Sequence, residues 1–343
     1  MPPGLRRPDR RLPRRHAAHR LARRRLHRRL PRLGPHLRPH PRRPHAARRR
    51  RLRYRPAPHP RRQSGPPARP PLFRRPTITD PELSQPKSPV RRALTERAVT
   101  TGPWVTFSDP HAVEALAKLD LDHLVIDCQH GTADLGTVLP MLRAAALHGM
   151  PVLIRVPANE PWQIMRALDL GAAGVIVPMV NTAAEAATAA SAMLYPPHGE
   201  RSYGPIRPSP GAGITPGDGP LLLVMIETAR GLADVDAIAA TPGVDGLFIG
   251  PIDLALGIGA VPDGKVLKGI GADATLAAVD TIAAAARAHD KILSGAVFTP
   301  DHARAMTRAG VRLQVYGSDG QWLAAGAKAA RTLTDELTAE AEK

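Results

Sequence analysis

Eight short apolar runs recur between residues 102 and 317, and each is followed by an Ala-rich or amphipathic stretch. The runs are 102–107 (GPWVTF), 123–128 (HLVIDC), 151–156 (PVLIRV), 174–180 (GVIVPMV), 221–227 (LLLVMIE), 245–250 (DGLFIG), 291–297 (KILSGAV) and 311–317 (VRLQVYG). They are continuous instead of alternating polar with apolar, as strands covered on both faces must be. Helical spacing predicts helices at 110–119, 134–148, 160–170, 182–194, 229–240, 272–289 and 300–309, with a last one at 320–341. Pro110 after Ser108 and Asp109 suits a capped helix start, as do Pro161 and Pro300, and Gly149, Gly171 and Gly310 stand where helices should stop. Eight strand–helix units over roughly 250 residues predict an α/β fold, the closed (β/α)8 or TIM barrel. A doubly wound sheet is the rival, but the first strand–helix turn lacks the G-x-G-x-x-G phosphate fingerprint.

Charge divides the chain. Residues 1–80 hold 27 Arg, no Lys and only Asp9 and Asp80 as acids, a net of +25, so the whole chain's +18 leaves −7 for the remainder. The first 87 residues are Arg, Pro and His with scattered Leu, and 17 of the 38 prolines fall in residues 1–80. Proline removes backbone donors and like charges repel, so this stretch is expected to be a disordered basic extension, with the barrel over 88–343. A nucleic-acid arm is disfavoured because only Tyr54 and Phe73 could stack on bases. The composition is also what GC-rich DNA yields when translated upstream of a true start, which would then lie near Val90. The mildly acidic remainder fits a soluble enzyme. Cys128 is the single cysteine, so no intrachain disulfide forms and a reducing, cytoplasmic location is expected. No run of 18 apolar residues predicts a membrane span.

In such a barrel the active site lies where strands end. The second run ends in Asp127, Gln129 and His130, the third carries Arg155, the fifth ends in Glu227, and the sixth runs through Gly250–Pro251 into Asp253. Each has a plainer reading. Glu227 or Asp253 alone suits a helix cap or an ion pair, Asp127 suits a structural pair with Arg155, and a lone His after a strand is more often structural. Together the plain readings weaken, because buried charges need partners or a ligand. Glu227 and Asp253 offer two anionic oxygens to a hard cation such as Mg²⁺ or Mn²⁺, leaving positions for water and substrate. A 2-oxo acid chelating those positions would form an enolate stabilised by the metal, with Arg155 near the developing oxyanion and His130 moving the proton. Schiff-base chemistry is disfavoured, since the only strand lysine beyond the first run is Lys291, at the start of the seventh. Cys128 reads as barrel packing. Two long connections, 195–219 and 254–271, are expected to set substrate size.

Several motifs in order carry a resemblance: VIDCQHG at 125–131, IRVPANEP at 154–161, LDLGAAGVIVPMV at 168–180, YPPHGERSYGP at 195–205, IETARG at 226–231 and FIGPIDLA at 248–255. Over roughly residues 90–340 the chain resembles the HpcH/HpaI aldolases, the metal-dependent class II pyruvate aldolases. The resemblance implies reversible cleavage of 4-hydroxy-2-oxo acids to pyruvate and an aldehyde with Mg²⁺, Mn²⁺ or Co²⁺. It implies Glu227 and Asp253 as metal ligands, Arg155 and Gln129 beside the substrate, His130 as base, Asp127 as its support, and Asp169 as the partner of His130 from a neighbouring subunit. It further implies a homo-oligomer, a hexamer of dimers exchanging the helix 320–341. The sequence departs from the family at Gln129 (Glu in many members), Met225 (Gln in some) and Arg201-Ser202-Tyr203-Gly204 (commonly Arg-Gly-x-Gly). The alternative reading is a citrate-lyase-β-like or malyl-CoA-type lyase acting on a CoA thioester.

Overall fold

A computed structural model describes residues 88–207 and 219–343; the extension read at 1–87 lies outside the described residues. Eight parallel strands close into a barrel in chain order: β1 Thr100–Val105, β2 Leu124–Asp127, β3 Val152–Arg155, β4 Gly174–Val177, β5 Leu221–Ile226, β6 Gly246–Ile249, β7 Ile292–Val297 and β8 Leu313–Ser318, with β8 pairing back on β1. The helices are α1 Pro89–Glu96, α2 Pro110–Ala117, α3 Val138–Ala146, α4 Pro161–Asp169, α5 Ala183–Met193, α6 Ala229–Ala233, α7 Val235–Ala240, α8 Pro251–Gly257, α9 Val266–Gly269, α10 Asp273–Ala288, α11 Pro300–Ala309 and α12 Asp319–Ala341. Every predicted run overlaps a strand, with ends displaced by up to three residues: β1 starts two residues before its run, β8 ends one residue after its run, and the other six lie within theirs. Asp109 caps α2 through the His111 amide, and Gly310 closes α11 at φ 102°, a conformation costly for any residue with a Cβ.

Three helical features were not foreseen. The helix expected at 229–240 breaks into α6 and α7 at Asp234. The connection read as a loop at 254–271 is mostly helical, through α8, a 3-10 turn at Pro262–Gly264, and α9. Short Pro- and Gly-bounded helices carry too few turns to show a period. The other long connection, 195–219, joins α5 to β5, and its described residues 195–207 pack by the end of α4, where the Ile206 and Arg207 amides donate to the Asp169 carbonyl, instead of at the mouth. Its residues 208–218 lie outside the described residues.

The third is α1, which closes the amino-terminal end. Val90 and Leu94 (1% and 5% exposed) join the cluster inside the barrel with Val125, Leu153, Leu223 and Phe248. Burying two such side chains contributes about 3–5 kcal/mol before chain entropy is counted. Polar ties fix the plug. Arg91 pairs with Asp245 at 2.7 Å and donates to the Gly219 carbonyl at 2.8 Å. Ser88 donates to the Ala173 carbonyl at 3.3 Å, and Arg312 donates to the Leu94, Arg97 and Ala98 carbonyls where α1 ends. A second, larger cluster fills the layer between strands and helices. By contrast α12, 23 residues long, is exposed along nearly its whole length, Leu323, Leu333 and Leu337 included. No described helix is long and apolar enough to cross a membrane.

Candidate active site

Parallel pairing places the last residues of β2 and β3, Asp127 and Arg155, side by side. Arg155 donates through Nε to Asp127 Oδ1 at 2.9 Å and through Nη2 to Oδ2 at 2.6 Å, a two-pronged bond that fixes the guanidinium plane. The Trp104 ring lies under that plane, 4.4 Å from Arg155 Cζ to the centroid, and meets Phe248 edge-on at 5.9 Å. Asp127 Oδ1 also accepts the Gln129 and His130 amides at 3.0 and 3.2 Å, shaping the turn that carries His130. Burial by itself would raise the Asp127 carboxyl. The hydrogen bonds and charge of Arg155, with the two amides, outweigh it and hold Asp127 below its ordinary value, so it stays an anion at neutral pH.

Glu227 follows β5 and is 2% exposed. Its Oε1 accepts the Met179 amide at 2.7 Å, and Met179 holds a left-handed backbone, φ 57°, to deliver it. Its Oε2 faces Gly250, where a Cβ would sit only 2.5 Å away, so the residue before α8 has to be glycine. Among the described residues no cation pairs with Glu227. Burial, joined by the charge of Asp253 and opposed by the Met179 amide and Arg155, pushes its carboxyl up to about 7. Asp253 stands exposed in the first turn of α8, close enough for that repulsion to register.

These pieces surround one cavity of about 380 Å³ at the carboxyl ends of the strands. Asp127, Arg155, His130 and Asp253 line it, and Glu227 lies behind the wall at Gly250. Trp104, Phe298 and Ser318 are among its other lining residues, three that the sequence reading did not single out. Trp104 had a usable signal, a large aromatic inside the first apolar run. Two expected residues are elsewhere in this chain. Gln129 is half-buried outside the cavity lining, its Oε1 without a partner among the described residues. Asp169 ends α4, just before β4 begins, and binds Arg201 Nη2 at 2.9 Å. It borders a separate groove with Trp162, Met165 and Arg166, not the cavity that His130 lines. Cys128 is buried, and burial with the charges of Asp127 and Asp134 pushes its thiol up to about 12, the state of a packing residue.

The donor set suits a hard cation. A buried carboxylate with one oxygen hydrogen-bonded, the other turned to a side-chain-free wall, and a second acid beside it lacks only positive charge. Among the described residues no group of three or more His, Cys, Asp or Glu is placed to hold a metal ion, so water and substrate would have to complete any coordination shell.

Comparison with known proteins identifies the family. The family model described as HpcH/HpaI aldolase/citrate lyase matches residues 100–325. A hydroxypyruvate/pyruvate aldolase of Rhizorhabdus wittichii is 46% identical over 181 residues, 50% of this chain and 70% of that protein. A 5-keto-4-deoxy-D-glucarate aldolase of Klebsiella pneumoniae is 38% identical over 175 residues, 49% of this chain and 68% of that one. Among solved structures, an HpcH/HpaI aldolase/citrate lyase family protein of Burkholderia cenocepacia superposes with a TM-score of 0.64 at 31% identity, covering 73% of this chain and 99% of its own.

Proposed function

The chain belongs to the HpcH/HpaI aldolase/citrate lyase family and is an aldolase, a carbon–carbon lyase, and from that premise we propose that it reversibly cleaves 4-hydroxy-2-oxo acids to pyruvate and an aldehyde with the help of a divalent cation. The carrying observation is that Arg155, His130 and Asp253 line one cavity beside a buried Glu227 that pairs with no cation among the described residues. Glu227 and Asp253 would hold Mg²⁺, Mn²⁺ or Co²⁺. Such an ion supplies a Lewis acid that polarises the 2-oxo group and favours the enolate of pyruvate.

The chain's own residues account for the rest. Arg155, held flat between Asp127 and Trp104, binds and orients the 2-oxo acid by its remaining N–H groups, which face the oxygen where negative charge grows. His130 takes the proton from the C4 hydroxyl. The C3–C4 electron pair then moves toward C2 as the C4 oxygen becomes the aldehyde carbonyl, and protonation at C3 yields pyruvate. Asp127 acts through its two neighbours, fixing Arg155 by side-chain bonds and His130 by the turn.

An assembly suits the remaining features. The exposed length of α12 fits exchange with a second copy, and the position of Asp169 fits a role across a subunit boundary, in a hexamer as the resemblance implies. Light scattering of the purified protein measures that directly. A lone buried thiol suits a reducing cytoplasm.

The functional test is a coupled pyruvate-release assay over a panel of 4-hydroxy-2-oxo acids and malyl-CoA, after chelation and after return of each ion. Release from the oxo acids that returns only with the ion is expected. Full activity in chelator sinks the metal assignment, and release from malyl-CoA alone sinks the substrate class in favour of a thioester lyase.

A further inference from the structure

The turn that reaches Glu227 is held at more points than a connection needs. Among the described residues, three other than glycine have a left-handed φ: Met179, Asp263 and Asp290. Asp263 and Asp290 are exposed aspartates, whose short polar side chains suit that conformation. Met179 has no such group, and its side chain is 50% exposed, so side-chain packing does little to hold it there. Its backbone polar groups are gripped instead. The Met179 N–H donates to Glu227 Oε1 at 2.7 Å, and the Met179 carbonyl accepts from Asn181 Nδ2 at 2.6 Å.

Asn181 is itself fixed from the end of β5. Its Oδ1 accepts the hydroxyl of Thr228, the residue after Glu227, and that hydroxyl oxygen accepts the Gly231 amide at 2.9 Å as the cap of α6. A Cβ on Gly231 would come within 2.7 Å of the Val180 carbonyl, so the start of α6 sits directly against the turn. On the other side, the Asn181 N–H donates to Glu185 Oε2 at 2.7 Å, which ties the turn to α5. A closed ring results. It runs from Glu227 to the Met179 N–H, from the Met179 carbonyl to Asn181, from Asn181 to Thr228, and back to Glu227 along the chain. An amide fits at position 181 because it donates to a carbonyl and accepts from a hydroxyl at once; a carboxylate there would have no proton for the Met179 carbonyl.

We infer that Asn181 is a positioning residue for Glu227, acting through the left-handed Met179 backbone, and that Thr228 locks Asn181 in place. This rests on the reading of Glu227 as a metal ligand. Groups that orient a metal ligand from behind are worth about 10- to 100-fold in metal affinity. The test titrates the full chain with Mn²⁺, without substrate, and follows the free ion by electron paramagnetic resonance. Asn181→Ala is expected to weaken Mn²⁺ binding by roughly tenfold. Adding Met179→Gly to Asn181→Ala is expected to recover most of that loss, because glycine takes up the left-handed conformation unaided. A merely structural asparagine would lower the thermal midpoint and leave Mn²⁺ affinity unchanged, or would leave the double variant no better than the single one; either result overturns the inference. Thr228→Val is expected to match Asn181→Ala, and Thr228→Ser to match the parent protein. This pair carries the test if Asn181→Ala does not fold, and equal Mn²⁺ affinity in the two Thr228 variants overturns the inference. A parent protein that binds no Mn²⁺ sinks the metal reading as well, whereas binding by the parent with no change in the variants sinks this inference alone.

Discussion

The two ends of this barrel treat charge in opposite ways. At the amino-terminal end, α1 fills the opening with Val90 and Leu94, and the charges there are matched, Arg91 with Asp245 and Arg312 with the carbonyls that end α1. His123 lies there too, fully buried beneath Gly102, its ring nitrogens unpaired among the described residues; burial pushes it down to about 4, so it is neutral. At the carboxyl-terminal end Arg155 is matched to Asp127, but no cationic side chain among the described residues pairs with the buried Glu227, and Asp253 repels it. One end is arranged for stability. The other keeps an unfavourable arrangement that a bound cation would relieve, the pattern expected where function and stability compete.

Four experiments break or sharpen that contrast. The largest effect is expected from Glu227→Gln, which should cut pyruvate release by on the order of 10³-fold. The same change should raise thermal stability, because an amide keeps the Met179 hydrogen bond and loses the repulsion from Asp253. Lower stability together with lower activity would show that both ends are built alike. Next, Leu94→Ala at the opposite end should cost about 3 kcal/mol in denaturant unfolding and leave the KM for substrate where it was. A large shift in KM would mean that the plug reaches the site.

The third test is pH dependence. His123 has a folded value, about 4, below its unfolded one, so the unfolded chain binds protons more readily between the two. Stability from this group is complete above about pH 6.5 and is lost as pH falls toward 4, by up to about 3 kcal/mol. Burial of His302 acts with the same sign. His123→Leu should flatten that part of the stability curve, and an unchanged slope would assign the acid sensitivity elsewhere. The smallest effect is expected from Arg91→Ala. Its partly exposed pair with Asp245 should be worth about 1 kcal/mol in unfolding measurements, and less in high salt.

The barrel was legible because each buried strand must be apolar throughout and each crossover helix must show a helical period, so composition and spacing encode both elements residue by residue. The polar strand ends stood out for the same reason: Asp127, Arg155 and Glu227 interrupt apolar runs, and charge there has to have a cause. The helix α1 was not legible, since eight residues reading PVRRALTE look like any connection until the barrel opening they fill exists. Nor was the bending of Met179 toward Glu227, which depends on where β4 and β5 end relative to each other.

The sequence by itself determined the eightfold repeat, the family and the titratable groups at the mouth, because these depend on residue type and local order. Only the tertiary structure decided which groups share a space. It gathered His130, Arg155 and Asp253 around one cavity, left Asp169 with Arg201 near the other end of the strands, and brought Ser318 and Gln321 within reach of Thr106. The physical reason is closure: pairing β8 with β1 joins residues more than 200 positions apart, and no local pattern records that contact.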